Sequence, residues 1–332
     1  MFAVAAVAAC PCLGVYRVTP LLVIVTMILM NEPLVESVHW PAHGRYVLAV
    51  SGGVDSMTLL DVLSRHGRYD VVVAHCNHGI RPDSDSDEEL VATTAQAYGL
   101  PFRSTRLQLS SASSEAQARH QRYEFLQAVC SSEQSHGLIT AHHLDDRVET
   151  MVLNRRRGAG WLGLAPLRQT ARIKRPFLGI TKAQIIEYAS THAIPWRQDA
   201  TNLDPGHTAR NRLRQQLSLV DRQQLYEQLA AHDKHRDQRE RVVRRIMRRG
   251  LGHENGTVTV APSRLLAEDV ATCRDVLYFT LKTYFATDME IDFGSVVRLE
   301  HFYKTATPNQ RLRLSEHVWV LMGRDGMVIY AT

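Results

Sequence analysis

The sequence feature that most constrains the fold is residues 45–65, RYVLAVSGGVDSMTLLDVLSR. Residues 46–50 form a short apolar run rich in β-branched side chains, which is typical of a strand buried on both faces. From Met57 onward, apolar residues recur at helical spacing. The adjacent glycines Gly52 and Gly53 lie between these two patterns and allow the backbone to turn sharply. The stretch therefore predicts a strand, a tight turn and a helix whose N-terminus can bind an anion.

The predicted turn carries a hexapeptide suited to phosphate binding. Its members are Ser51, Gly52, Gly53, Val54, Asp55 and Ser56. Backbone N–H groups and serine hydroxyls are donors for phosphate oxygens, but the carboxylate of Asp55 is not. A carboxylate beside a phosphate site is expected where a divalent cation such as Mg²⁺ bridges the two groups. The loop is not a Walker A motif, because no Gly-Lys-Ser/Thr follows.

Residues 45–200 alternate short apolar runs with helical stretches, a pattern typical of a doubly wound, mostly parallel α/β sheet. Further strands are predicted at residues 69–75, 102–109 and 137–141, and helices at 113–130 and 181–193. Polar clusters follow the predicted strands. Because ligands bind at the carboxyl ends of parallel strands, these clusters are expected to share one site.

One of these clusters, residues 142–150, is HHLDDRVET. Asp146 and Glu149 are spaced about one turn apart on the helix that this stretch opens. Acidic residues stabilise a helix N-terminus without any further role. Three acids with His142 and His143 exceed what capping needs, so the cluster is expected to hold Mg²⁺ or to recognise a cationic substrate. A transition-metal site is the alternative for the histidine pair.

The second half of the chain is basic. The net charge is +5, and residues 205–249 contain twelve Lys/Arg against five Asp/Glu, which favours a polyanionic partner. We expect a catalytic domain at residues 41–215, a basic helical linker at 216–250 and a small α+β domain at 251–332. Short strands are predicted at residues 256–260, 311–314, 318–322 and 327–330.

Residues 1–40 form a doubtful leader. They are mostly apolar up to residue 30, but Pro11, Gly14, Arg17 and Pro20 interrupt the run, so no uninterrupted membrane span is present. A start at Met30 is the favoured alternative, because it leads directly into the first predicted strand. We expect a cytoplasmic protein without a stable membrane partner. The five cysteines contain no Cys-x-x-Cys and fit a reducing compartment.

Several motifs together resemble those of the tRNA(Ile)-lysidine synthetases, which belong to the PP-loop ATP pyrophosphatases. They are SGGVDS, NHGIR, the Arg-x-x-Arg-Tyr of residues 119–123, HHLDDRVET, RRGAGWLGL, the RPFL of residues 175–178 and DATNLDPGHTARNRLR. The resemblance covers about residues 44–220. It implies that ATP adenylates the wobble cytidine of a CAU-anticodon tRNA(Ile) and that L-lysine then displaces AMP, forming lysidine.

The resemblance also implies roles for individual residues. Asp55, Arg122, Asp146, Glu149 and Arg212 would be catalytic, residues 51–56 would bind ATP, and Asp55 would lie near Mg²⁺. Contacts to tRNA or another substrate are implied for a larger polar set: Asn77, His78, Arg81, His142, His143, Arg157, Gly158, Arg210, Asn211 and Arg214. The C-terminal domain would bind tRNA, and a homodimer is among the expected oligomeric states.

The sequence departs from the family pattern at three places, and rival functions remain. Arg147 replaces a usual glutamine, Ala159 a usual threonine, and residues 207–209 a stretch that commonly carries an aromatic residue. The closest rival is a PP-loop tRNA cytidine thiolase, although thiolation needs sulfur-handling cysteines. The other rivals are a small-molecule amidating ligase and a catalytically inactive tRNA chaperone.

Overall fold

The structure is a computed structural model. It describes residues 33–66, 69–77, 84–107, 115–198, 208–261, 268–286 and 291–332, together with Gly79, Leu265 and Met289. Elements are numbered over these residues. The chain divides into two compact units, Met1–Leu229 and Ala230–Thr332.

The first unit contains a five-stranded parallel sheet in the order β3-β2-β1-β4-β5. Its strands are β1 (Arg45–Ala49), β2 (Asp70–Asn77), β3 (Phe102–Arg106), β4 (Leu138–Ile139) and β5 (Ile173–Lys174). The crossovers place helices on both faces of the sheet, since one buried cluster contains Leu48 and Val73 and another contains Val47 and Val72. The predicted doubly wound α/β fold is therefore confirmed.

The helices of the first unit follow the same alternation. They are α1 (Pro33–Glu36), α2 (Val54–His66), α3 (Ser84–Ala97), α4 (Glu115–Ser132), α5 (Leu144–Arg156), α6 (Trp161–Leu164), α7 (Lys182–Thr191) and α8 (Ala209–Gln216). The longest helix, α9 (Leu219–Gly250), contains the division between the two units. The sequence-based domain limits near residues 215 and 250 stay predictions.

The second unit contains an antiparallel sheet in the order β6-β7-β10-β9-β8. Its elements are β6 (Leu251–Glu254), β7 (Thr257–Val260), α10 (Val270–Tyr284), α11 (Phe293–Thr305), β8 (Arg311–Arg313), β9 (Val318–Met322) and β10 (Met327–Ala331). The four strands predicted here are present. Aspartates cap both helices: Asp269 accepts from the Thr272 N–H at 3.0 Å, and Asp292 from the Ser295 N–H at 2.5 Å.

Two short strands and one helix break were not predicted. β5 contains only two residues, too few for a periodic pattern, and β6 carries a glycine, a histidine and a glutamate instead of alternating apolar residues. No break was predicted near residue 217, where α8 ends and α9 begins; there Ser218 accepts from the Asp221 N–H at 3.1 Å and starts the new helix. No helix in the described part of the chain is long and apolar enough to cross a membrane.

Candidate functional site

The glycine loop joins β1 to α2 as the sequence predicts. Gly52 has φ +86°, a conformation that strains any residue with a Cβ. Ser56 stabilises the turn, because its hydroxyl donates to the Gly53 carbonyl at 3.0 Å and accepts from the Ser51 N–H at 3.1 Å. The first N–H groups of α2 have no acceptors within the helix. The loop therefore presents amide donors and a positive helix end, the features of an anion site.

Asp55, in the first turn of α2, forms an ion pair that the sequence did not predict. Lys182 Nζ lies 2.6 Å from Asp55 Oδ1, and both side chains are about one-third exposed. Lys182 is the first residue of α7, where a cation opposes the helix dipole. That unfavourable position was the available signal that Lys182 has a carboxylate partner elsewhere.

His143 connects the glycine loop to the acidic helix α5. Its buried ring places Nε2 3.7 Å from Asp55 Oδ1 and 3.6 Å from Asp146 Oδ2. The His143 backbone N–H donates to the same Asp146 oxygen at 3.1 Å. Burial alone would raise the pKa of Asp146, but His143 and His142 outweigh it and the pKa is lowered. Asp146 is therefore an anion at neutral pH.

Glu149 lies one turn further along α5 and forms ion pairs with two arginines of α8. Arg214 Nε donates to Glu149 Oε1 at 2.7 Å, and Arg210 Nε lies 3.3 Å from Oε2. Arg214 Nη2 also reaches Asp146 at 3.4 Å. Burial raises the pKa of Glu149 more than Arg214 lowers it, and Oε2 accepts no hydrogen bond within the described residues. Arg210 and Arg214, four residues apart, therefore share one face of α8.

Asp145, the neighbour of Asp146, has a structural role. Its carboxylate accepts from the Lys182 backbone N–H at 2.8 Å, from Arg222 at 3.0 Å and from the Tyr226 hydroxyl at 2.9 Å. These bonds attach the starts of α7 and α9 to α5. Asp145 therefore fixes the position of Lys182. The imidazole of His143 lies between the carboxylates of Asp146 and Asp55.

His142 lies at the carboxyl end of β4 among cationic side chains. Burial, together with the charges of Arg175, Arg119 and Arg210, lowers its pKa to about 4 against the opposing effect of Asp146. The imidazole is neutral at physiological pH, with Nδ1 2.9 Å from the Thr140 hydroxyl. Arg175 is buried and shares a hydrogen bond with Tyr123. Its arginine-proline motif was noted in the sequence, but neither Arg175 nor Arg119 was predicted as a site residue.

The other predicted site residues differ in their exposure to solvent. Asn77 is 2% exposed, and its amide donates to Asp85 at 2.8 Å and Glu88 at 2.9 Å. Asn211 is also buried, whereas Arg157 and Arg212 are exposed.

Arg122 lies on α4, and Gly158 follows the end of α5. The Arg122 guanidinium lies 5.9 Å from the Tyr123 ring centroid and is close enough to Cys76 to affect its thiol. Gly158 follows the C-cap of α5 with φ +75°. His78 and Arg81, and the sequence motif at residues 199–207, lie outside the described residues.

Within the described ranges, no group of three or more His, Cys, Asp or Glu side chains is arranged to hold a metal ion. Mg²⁺ in nucleotide sites is usually bound by one or two carboxylates together with substrate phosphates and water. A single carboxylate beside an anion loop, as Asp55 is, fits that arrangement. The transition-metal alternative for His142 and His143 has no third ligand among these residues.

Comparisons with known proteins agree with this geometry. A model of the PP-loop domain matches residues 28–221. A tRNA(Ile)-lysidine synthase from Synechococcus sp. is 38% identical over 183 residues, which cover 52% of this chain and 56% of the relative. A bifunctional protein TilS/HprT from Listeria monocytogenes is 35% identical over 187 residues, covering 52% of this chain and 29% of the relative. The chain thus spans about half or less of the length of these relatives.

A solved structure shows the same fold. The U34-tRNA thiolase NcsA from Methanococcus maripaludis, determined with its iron–sulfur cluster, has a TM-score of 0.50 at 13% identity and covers 63% of this chain and 79% of its own. The parallel sheet, the glycine loop and the family match define a PP-loop fold. The chain belongs to the PP-loop domain family.

Proposed function

We propose that this protein is an ATP-dependent ligase that attaches L-lysine to the wobble cytidine of a CAU-anticodon tRNA(Ile). The observation that carries the proposal is the continuous series of contacts from the glycine loop to Glu149. Asp55, His143, Asp146, Arg214 and Glu149 are linked by distances of 3.7 Å or less. An anion site and a pair of carboxylates suited to an ammonium group are therefore adjacent.

The loop side of the site would bind ATP through its amides and serine hydroxyls. Attack of the cytosine O2 on the α-phosphorus forms an O–P bond, and pyrophosphate leaves. Arg122 and Arg212 would supply the positive charge that stabilises the transferring phosphate. Asp55 would hold Mg²⁺ together with the phosphates, and the metal would neutralise part of their charge.

The carboxylate side would bind the lysine substrate. Asp146 is ionised at neutral pH and attracts an ammonium group. The amine must lose a proton before it attacks the activated carbon and displaces AMP. Glu149 suits that step, because burial raises its pKa and its Oε2 has no hydrogen bond within the described residues.

Exposed arginines of α9 would contact the tRNA backbone. Arg241, Arg244, Arg245, Arg248 and Arg249 are exposed, and no ion pair involves them within the part of the chain that the structure describes. Cations without counter-charges favour a polyanion. Names of the curated relatives support tRNA(Ile) as that polyanion.

The thiolase alternative is supported only by fold. Burial raises the pKa of the Cys76 thiol to about 11, and the three described cysteines, Cys76, Cys130 and Cys273, are all free. A thiol with such a pKa is a poor nucleophile or metal ligand at neutral pH.

The test is the release of AMP and pyrophosphate from ATP in the presence of CAU-anticodon tRNA(Ile), with and without lysine. AMP release that requires both tRNA and lysine, with lysine retained on the RNA, is expected. Asp55→Ala should abolish turnover while tRNA binding persists, and Glu124→Gln, an exposed carboxylate variant on α4, is the matched control. Turnover that requires a sulfur donor and ignores lysine would establish the thiolase instead, and near-normal activity of Asp55→Ala would contradict the assigned site.

A further inference from the structure

The antiparallel sheet of the second unit has one buried face and one face whose residues are exposed or partly exposed. Inward-pointing residues are buried: Val258, Val260, Val318, Val320, Met322, Met327 and Ile329. Residues at the alternate positions of the same strands point outward, and none of them is buried. The outward positions are Gly252, Glu254, Thr257, Thr259, Arg311, Arg313, Trp319, Leu321, Val328 and Tyr330.

Strand register aligns three of these outward side chains in one row. Tyr330 on β10 is paired with Trp319 on β9, and Trp319 is paired with Arg313 on β8. Directly opposite residues of antiparallel strands have Cα atoms about 4.5–5.5 Å apart, so the three side chains are immediate neighbours. The next row contains Val328, Leu321 and Arg311 in the same order.

The row is held in place by the β8–β9 turn. The Arg313 guanidinium lies 5.5 Å from the centroid of the Trp319 ring. Its Nε donates to the Ser315 carbonyl at 3.1 Å, which fixes the guanidinium beside the indole. Trp319 and Tyr330 make no side-chain hydrogen bond within the described residues, so their polar atoms remain available to a ligand.

We propose that the aromatic row, defined as Tyr330, Trp319 and Arg313, binds unpaired nucleotides of RNA. Aromatic and guanidinium planes on an open sheet face stack on splayed bases, as single-stranded RNA sites do. Arg311 and Arg313 supply positive charge for the phosphates at one edge. The sole carboxylate at an outward strand position, among the described residues, is Glu254 at the opposite edge. This inference rests on the proposed function in taking RNA as the partner.

The test measures binding of fluorescently labelled RNA to the full-length protein by anisotropy. The probe is a single strand of about eight nucleotides, within the site size of such surfaces, and a duplex of the same length is its comparison. Trp319→Ala and Tyr330→Ala should each weaken single-strand binding by about 5- to 150-fold, the effect of losing one base–aromatic stack. Duplex binding should change much less, because paired bases do not expose their faces.

Matched variants separate stacking from folding. Thr259→Ala changes the same face without removing a ring and should bind like the wild type, and Trp319→Phe should retain most of the affinity. Unchanged single-strand affinity in both alanine variants, with unaltered circular dichroism, would overturn the proposal. So would a dimer in sedimentation that Trp319→Ala dissociates, because a second copy would then occupy the face.

The oligonucleotide-binding test can fail or succeed independently of the lysine-incorporation test of the proposed function. Lysine incorporation by the wild type together with unchanged oligonucleotide binding in the alanine variants would reject the aromatic row alone. Loss of oligonucleotide binding in those variants, with a wild type that incorporates no lysine, would leave the aromatic row standing and reject the ligase.

Discussion

Replacing Arg214 by leucine should destabilise the protein in a pH-dependent way. Glu149 is 1% exposed, and Arg214 lies 2.7 Å from it. Removing one partner of a buried ion pair costs about 3–5 kcal/mol, because the remaining charge stays buried. Arg210 remains 3.3 Å from Glu149, and the Arg214 side chain is 34% exposed. We therefore expect a loss of about 2–3 kcal/mol near neutral pH.

The pH dependence follows from the raised pKa of Glu149, which burial causes. A carboxyl whose folded pKa exceeds its unfolded value of about 4.3 favours the folded state fully only below that value. This stability is lost as the pH rises through the folded pKa. Removing Arg214 raises that pKa further, so the destabilisation should be small at about pH 5 and should grow toward neutral pH.

Urea unfolding of four proteins measures this coupling: the wild type, Arg214→Leu, Glu149→Gln and the double variant. Glu149→Gln removes the buried charge and should cancel most of the loss caused by Arg214→Leu. The unpaired, buried charge of Glu149 would not be the cause of the destabilisation if Arg214→Leu lost the same stability at about pH 5 and at neutral pH. Strictly additive effects of the two substitutions in the double variant would refute it as well.

Three further predictions concern other parts of the molecule. Lys182→Met should change the free energy of unfolding by less than about 1 kcal/mol in urea titrations, since its pair with Asp55 is partly exposed. A larger loss would show that this pair contributes to the stability of the fold. His142→Gln should flatten the stability profile between about pH 6.5 and pH 4 in urea titrations, because the lowered pKa of His142 costs the wild type about 2–3 kcal/mol as the pH falls through that window. Arg241→Ala with Arg245→Ala should lower the salt dependence of tRNA binding by up to about 1.8 in log–log slope, whereas an unchanged slope would exclude phosphate contacts there.

Local patterns predicted the parallel sheet because each strand and the glycine turn are encoded by adjacent residues. The buried run before Gly52, the serines of the loop and the helical spacing after Met57 need no distant partner. β5 was not predicted, because its two residues form a strand only through their pairing with β4.

The site was predictable only in part, for the same physical reason. Asp146 and Glu149 share a helix, so their spacing was visible in the sequence. The Lys182–Asp55 pair joins residues 127 positions apart, and no local pattern encodes such a contact. The position of Asn77 at the end of a strand was visible in the sequence, whereas the hydrogen bonds of its amide to Asp85 and Glu88 were not.

The arrangement of charge around α5 supports the proposal that two oppositely charged ligands bind beside this helix. α5 begins with a positive helix end, where acidic side chains such as Asp146 are favourable. Asp145 is neutralised by Arg222 and fixes the start of α7, which carries Lys182 to Asp55. Asp146 and Glu149 then face the site, separated from Asp55 by the single ring of His143. A phosphate group at the loop and an ammonium group at α5 would be within one side-chain length of each other, and that proximity is what joining an amine to a phosphate-activated base requires.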